Sequence, residues 1–302
     1  MRIKWPSEGE KRIVSRKFGK PKPDGISCRR MIDILMSTFN GERYLGEQIR
    51  SILGQSFTEF RLVVRDDGSS DDTLALIEEF CREDERVRLL SDGEGNVGLR
   101  RSFMRLVEAS EAEYFMFADQ DDVWLPEKIE RSIAAIKKLE SSSTKTEPIL
   151  VFTDLRVVNE QLETIDESLW HYQRLRPEIS QDWKRLLSQN VVTGCTIFAN
   201  RAAARASLPF ALPEMMHDHW VAVNAAKLGK IGYINEPTVL YRQHSANAEG
   251  SRDFGLKYAA GKSLGLGERT EFYKKAAVHF GEVTTLELLR LKAAENLKRL
   301  FG

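Results

Sequence analysis

The chain of 302 residues contains no apolar run long enough to span a bilayer. It carries only three cysteines, Cys28, Cys81 and Cys195, and their spacing is unlike that of a metal site. So few, and an odd number, exclude a disulfide scaffold and suit a reducing compartment. Lysine plus arginine equals aspartate plus glutamate at 45 each, so no net charge draws the chain toward nucleic acid. No internal repeat is present. The first thirty residues are basic but lack the apolar core of a signal peptide. The expected location is cytoplasmic, and a basic arm of this kind leaves peripheral contact with anionic lipid at the inner membrane face open.

What is present is an alternation. MIDILMST (31–38), FRLVV (60–64), VRLL (87–90) and YFMFA (114–118) read as strands, and helical patterns separate them. Tyr44, Leu45, Ile49, Ile52 and Leu53 recur at helical spacing, as do Leu74, Ala75, Ile77 and Phe80. Strands that are apolar throughout fit a mostly parallel sheet covered on both faces. In RDDGSSDDT, Ser69 is expected to cap the following helix with Asp72 as its partner. Pro126 is expected in the first turn of the next helix. VVTGCTIFA (191–199), IGYI and PTVLYRQ read as later strands, with a helix across 215–228. The expected organisation is a basic leader (1–30), a catalytic domain (31–254, with a nucleotide part 31–125 and an acceptor part 126–254) and a helical extension (255–302).

In an open parallel sheet, ligands bind beyond the carboxyl ends of the strands. Three polar clusters fall there: STFNGERYL (37–45), RDDGSSDDT (65–73) and DQDDVW (119–124). Asp66 and Asp67 could accept from a ligand N–H or hydroxyl pair, or could equally cap a helix and close a turn. Gly68 would relax that turn. Asp119 and Asp121, two apart, can be aimed at one point, and carboxylate oxygens suit Mg2+ or Mn2+. Asp122 is open between cation ligand, loop brace and helix-start acid.

The ordered set MSTFNGERYLGEQIRSILGQS, VVRDDGSSDDT, NVGLRRSFM, FADQDDVWLPEKI, VTGCTIFAN, HDHW and YRQHSAN, across residues 31–247, resembles the inverting family 2 glycosyltransferases. The resemblance implies a GT-A fold, a single αβα sandwich. It also implies transfer of a sugar from a nucleotide diphosphate donor to a glycan or lipid-linked glycan acceptor, with Mn2+ or Mg2+. Carried over, Thr38, Asn40 and Glu42 would lie beside the nucleotide. Asp66 and Asp67 would flank base and ribose, Asp119 the ribose side, and Asp121 the metal. Arg100 and Trp124 would approach the donor. Arg242 and His244 would lie near diphosphate and metal. Gly194 and Cys195 would lie near acceptor or sugar. The DQDDxW and YRQH forms resemble rhamnosyltransferase-like members, so dTDP-L-rhamnose is the expected donor.

Direct inversion needs a base for the acceptor hydroxyl, and the resemblance places it at Asp218. His217 stands where the family commonly has Glu. His217 and His219 are two apart and, on a helix, would not face one metal. Two other classes stay open: a sugar nucleotidyltransferase, whose glycine-rich first loop this chain lacks, and a nucleotide-sugar binding protein without turnover. In the tail, Leu286, Leu289, Ala293, Leu297 and Leu300 are expected on one packing face against the catalytic domain or a second subunit, with shallow membrane docking as the alternative.

Overall fold

The structure, a computed structural model, describes residues 32–244 and 266–301. The basic leader with Cys28, residues 245–247 of YRQHSAN and the start of the expected extension lie outside the described residues.

The first strand, β1 (Ile32–Thr38), is buried at all seven positions, which is why it lacks alternation. It lies between β2 (Phe60–Asp66) and β4 (Tyr114–Ala118), parallel to both, and β3 (Val87–Leu89) continues the sheet beyond β2. Helices α1 (Glu42–Leu53), α2 (Thr73–Glu83) and α3 (Leu99–Ala109) are the crossovers. The sheet then extends through β8 (Phe198–Asn200), β6 (Ile149–Val158), β9 (Lys230–Arg242) and β5 (Val123–Trp124). The pair β6–β9 is parallel, while β8 runs antiparallel to both β4 and β6 and β5 runs antiparallel to β9. A short β7 (Thr164–Asp166) pairs with β6.

Alternation along β1 divides the core. Ile32, Ile34 and Met36 join Leu45, Ile49 and Ile52 of α1 on one face. Leu35 joins Phe103 and Leu106 of α3 on the other. Each such fully buried aliphatic side chain contributes about 2 kcal/mol. Helix α4 (Lys128–Glu140) covers the first face through Ile129 and Ile136. Short helices α5 (Leu169–Tyr172), α6 (Trp183–Ser188) and α7 (Arg201–Ala206), with α8 (His217–Leu228), complete the second layer. The αβα sandwich expected from the sequence is present, with α9 (Leu266–Phe280) and α10 (Thr285–Phe301) at its C-terminal end. Among the described residues no helix is long and apolar enough to cross a membrane.

Five local expectations fail. Residues 191–199 are not one strand: Gly194–Thr196 curl into a 3-10 turn, with Ile197 N–H donating to Gly194 O, before β8 begins. IGYI and PTVLYRQ merge into the single strand β9. Pro126 precedes the helix, its carbonyl accepting from Ser56 N–H, and α4 starts at Lys128. Ser69 caps nothing, because its hydroxyl is drawn back to Asp66, 2.5 Å away. In the tail, α10 buries Leu288, Glu295 and Arg299 instead of the expected stripe, leaving Leu286 and Leu297 exposed. A charged pair decides this rotation: Glu295 bonds Arg185 of α6 at 2.8 Å.

Candidate active site

A cavity of about 500 Å³ opens at the carboxyl ends of β1 and β4, lined by Thr38, Asp67, Asp119, Asp121, Gly194 and Asp218, among others. The chain thus brings to one place residues as far apart in sequence as Ser37 and Tyr241.

The acidic loop after β4 is held by backbone contacts. Gln120 accepts from Phe39 N–H at 2.9 Å and donates to Phe39 O at 3.1 Å, clamping the loop to the end of β1. Gln48 donates to Asp119 O at 2.9 Å. These amides fix the backbone and leave the carboxylates to face other groups. Asp121 Oδ2 lies 2.9 Å from His244 Nε2. Asp122 turns inward and is fully buried; its Oδ1 accepts from Arg242 N–H, and its Oδ2 has no hydrogen-bond partner. Candidate ligand atoms of Asp119, Asp122 and Cys195 lie within 4.8 Å of one another.

Electrostatics follow from this crowding. Asp119 borders the cavity, but its carboxyl is enclosed. Burial, then the charges of Asp121 and Asp218, push its pKa up to about 7. Burial, with Asp121 and Asp119 beside it, drives that of Asp122 well above the ordinary range. Beneath them Lys128 is fully buried, its Nζ 3.3 Å from Thr238 Oγ1 and 4.8 Å from the Trp124 ring centre. Burial pulls its pKa down to about 8, while Cys195 and Asp122 oppose the fall.

A divalent cation would relieve the repulsion. The donor set fits one. It comprises hard carboxylate oxygens crowded by like charge and an imidazole. Asp121 with His244, and Asp119 beside them, are the residues that would hold it. Asp122 and Cys195 sit in the layer beneath.

Opposite stands Asp218, in the first turn of α8, where the helix dipole favours a carboxylate. Its Oδ1 accepts from His219 N–H at 2.6 Å. A Cβ on Gly194 would stand 3.4 Å from Asp218 Cβ and 3.3 Å from His217 Nε2, so a larger residue would crowd this wall. His217 stacks on Phe103, ring centres 4.0 Å apart, with neither ring nitrogen hydrogen-bonded. Burial pushes its pKa down to about 3, so it is neutral. His219 points elsewhere, to Leu186 O at 2.8 Å, and the two histidines form no joint metal site.

The other loop is different. Asp66 accepts from Thr38 Oγ1, Gly68 N–H and Ser69 N–H, and does not line the cavity. Gly68 takes φ +83° there. Asp67 lines the cavity but is bound to Arg65 at 2.6 Å and to the N–H groups of Val97 and Gly98 at 2.9 Å each. Asn40 and Glu42 point into the same loop, accepting from Ser70 N–H and Asp72 N–H. Neither lines the cavity, nor do Arg100, Trp124 or Arg242. Trp124 is buried under Lys128 and packs in the core. Arg242 braces the acidic loop through Asp121 O, Glu160 O and Glu47. Arg100 reaches across to the chain at Pro213 and Met216.

Sequence reasoning missed Gln48 and Lys128. Both sit in the buried stripes of their helices, Gln48 with Leu45, Ile49 and Ile52, Lys128 with Ile129, Ser132 and Ile136. A polar residue in an apolar stripe was the available signal.

An open, mostly parallel sheet with acidic loops at the strand ends of its first half, and Asp218 on the wall opposite, is an α/β arrangement of the GT-A type. The sequence pattern described as glycosyl transferase family 2 matches residues 33–205, and the chain belongs to that family. It is 26% identical over 247 residues to the dTDP-rhamnosyl transferase RfbG of Shigella flexneri, covering 80% of this chain and 81% of the relative. It is 31% identical over 110 residues, 36% of this chain and 42% of the relative, to the Escherichia coli UDP-Glc:alpha-D-GlcNAc-diphosphoundecaprenol beta-1,3-glucosyltransferase WfgD. Among solved structures the fold is similar to S. aureus TarS in complex with UDP-GlcNAc (TM-score 0.58, 15% identity, 89% of this chain and 72% of that one). It is also similar to the Pyrobaculum calidifontis mannosyltransferase PcManGT in complex with GDP-Man and Mn2+ (TM-score 0.51, 14% identity, 90% and 81%).

Proposed function

We propose that this glycosyltransferase is inverting and cation-dependent, and moves a sugar from a nucleotide diphosphate to a growing cell-surface polysaccharide or lipid-linked glycan. One observation carries the proposal: Asp119, Asp121 and Asp218 converge on one cavity, close enough that the latter two help raise the pKa of the first. The donor lies between the β1 and β4 ends, in the nucleotide part of the chain (31–125). The acceptor enters from the side of α8, in the part 126–254. Asp218 takes the proton of an acceptor hydroxyl as its oxygen bonds the anomeric carbon. The bond from that carbon to the diphosphate oxygen breaks on the opposite face, and inversion follows. Mn2+ or Mg2+, held by Asp121 and His244, would supply positive charge for the leaving diphosphate. Gln48, Gln120 and Arg242 keep the acidic loop in place. Gly194 keeps the wall beside Asp218 open.

The donor we favour is dTDP-L-rhamnose. The relative bearing that activity aligns over most of both chains, and the DQDDVW and YRQH forms agree. The experiment is nucleotide-sugar hydrolysis with Mn2+, repeated on Asp121→Ala and Asp218→Asn, with a panel of donors screened by thermal shift. We expect a selective shift with dTDP-L-rhamnose and a loss of turnover of roughly 10²-fold or more in Asp218→Asn. Full activity in both variants would sink the mechanism, and a selective shift with another sugar would replace the donor.

A further inference from the structure

Beside the main cavity lies a second hollow of about 470 Å³, lined by Val97, Gly98, Leu99, Arg100, Arg101, Pro213 and Met216. Gly98, Leu99 and Met216 line both, so the two adjoin, with Met216 on the Asp218 side of the join and Gly98, bonded to Asp67, on the other. Met216 immediately precedes His217 and Asp218 in the chain. The hollow therefore receives whatever extends outward from a group positioned at Asp218.

Its chemistry is mixed. Arg100 and Arg101 are exposed, and neither forms a salt bridge with a carboxylate among the described residues. The hydrogen bonds of Arg100 go to neutral partners, Pro213 O at 3.4 Å and the Met216 sulfur at 3.2 Å, and the charge of Glu214, itself paired with Lys275, acts on it from nearby. Nearby acids have other partners: Glu94 and Glu108 pair with Arg105, and Glu214 pairs with Lys275. Val97, Leu99, Pro213 and Met216 supply apolar wall between and beside the two guanidinium groups. Arginine forks bind phosphate oxygens in pairs, and two adjacent ones fit a diphosphate better than a single carboxylate. The apolar wall suits the first carbons of an alkyl chain.

Resting on the acceptor-side reading of Asp218, we propose that Arg100 and Arg101 form a phosphate-recognition shelf that selects acceptors carrying an alkyl-linked diphosphate. The sugar hydroxyl reaches Asp218 while the diphosphate stays on the shelf. Arg100 thereby moves from the donor role expected from sequence to the acceptor side. The shelf makes no bond in the reaction. It sets which acceptor is held, and so acts on KM for the acceptor.

The test uses the full chain with cation chelated, so that the donor diphosphate position is weak, and decyl diphosphate as the probe in a calorimetric titration. Wild type is expected to bind decyl diphosphate and not decanol, and excess nucleoside diphosphate is expected not to displace it. Arg100→Gln/Arg101→Gln should weaken binding at least about tenfold, and Arg100→Lys/Arg101→Lys should restore part of it. Both sites are on the surface, and a melting curve checks that the variants fold. Arg101→Gln alone serves should the double variant not fold. Equal binding in the glutamine variants, no binding to wild type, equal binding of decanol, or displacement by nucleoside diphosphate would each overturn the shelf. Because the titration contains neither donor nor cation, its failure is distinct from a failure to hydrolyse nucleotide sugars, which would overturn the proposed function.

Discussion

Two loops of similar composition lie side by side at the strand ends. Residues 66–72 hold four aspartates and residues 119–122 hold three. In the first loop the carboxylates are absorbed by the fold. Asp66 and Asp67 accept from N–H and O–H groups and from the Arg65 guanidinium. Although burial opposes it, the Thr73 hydroxyl and nearby N–H groups hold Asp71 below the ordinary carboxylate range. In the second loop the backbone is satisfied but the carboxylates face one another, and Asp119 and Asp122 are pushed upward. Similar numbers of acids do not make similar sites. A carboxylate met by donors is structure, and a carboxylate met by carboxylates awaits a cation or a proton.

The contrast can be broken by substitution. The largest effect is expected from Asp121→Ala, where losing cation support for a leaving diphosphate costs several kcal/mol, so turnover falls at least about 10²-fold. A steady-state rate with Mn2+ checks this, and near-normal turnover would remove the second loop from the chemistry. Next comes Asp67→Asn, which leaves Arg65 short of a buried partner and should lower the unfolding free energy by about 3 kcal/mol. Urea denaturation reads it, and an unchanged midpoint would mean that the first loop is not self-saturated.

Asp119→Asn should act in the opposite direction. The Asp119 pKa is near 7 in the folded chain against about 4 unfolded, so the stability linked to it is complete below about pH 4 and is lost as pH rises through 7. Without cation at about pH 8, the neutral amide should therefore raise Tm. A fall would assign Asp119 a structural duty like that of Asp67. The smallest effect is on the thermal shift produced by a fixed Mn2+ concentration. It should grow from about pH 6 to about pH 8 in wild type, because the cation must displace the Asp119 proton, and the growth should shrink in Asp119→Asn. A pH-independent shift would separate cation binding from that carboxyl.

Three strands of the first half, β1, β2 and β4, were legible because each is a mostly buried apolar run bounded by polar clusters, and the short β3, with only Val87 buried, was legible from its place in the alternation. The clusters fell at strand ends, where ligands collect in such sheets. That much also made Asp119 and Asp121 visible as candidates, while Asp218, in the first turn of a helix, was visible only through the family resemblance. The later strands were harder to read. The Gly194–Thr196 turn and the one-strand span of β9 depend on neighbours distant in sequence. Arg242 resembled a phosphate ligand, yet its partners are Asp121 O, Glu160 O and Glu47, supplied by three separate segments. Trp124 resembled a pocket wall, yet the pairing of β5 with β9 turns it into the core beside Lys128.

By itself the sequence determined the layered architecture, because hydrophobic periodicity and turn residues act over a few positions and need no distant partner. It also determined where acidic groups collect, because strand ends and the loops after them are local features. Only the tertiary structure decided which of those acids are consumed. A hydrogen bond or ion pair needs its partner within a few ångströms, and beside local partners such as Ser69 for Asp66, others come from 30 to 120 residues away, Val97 for Asp67 and Arg242 for Asp122. The same packing that ties Asp67 to Arg65 and to the entry of α3 leaves Asp119 and Asp121 facing Asp218 across a cavity.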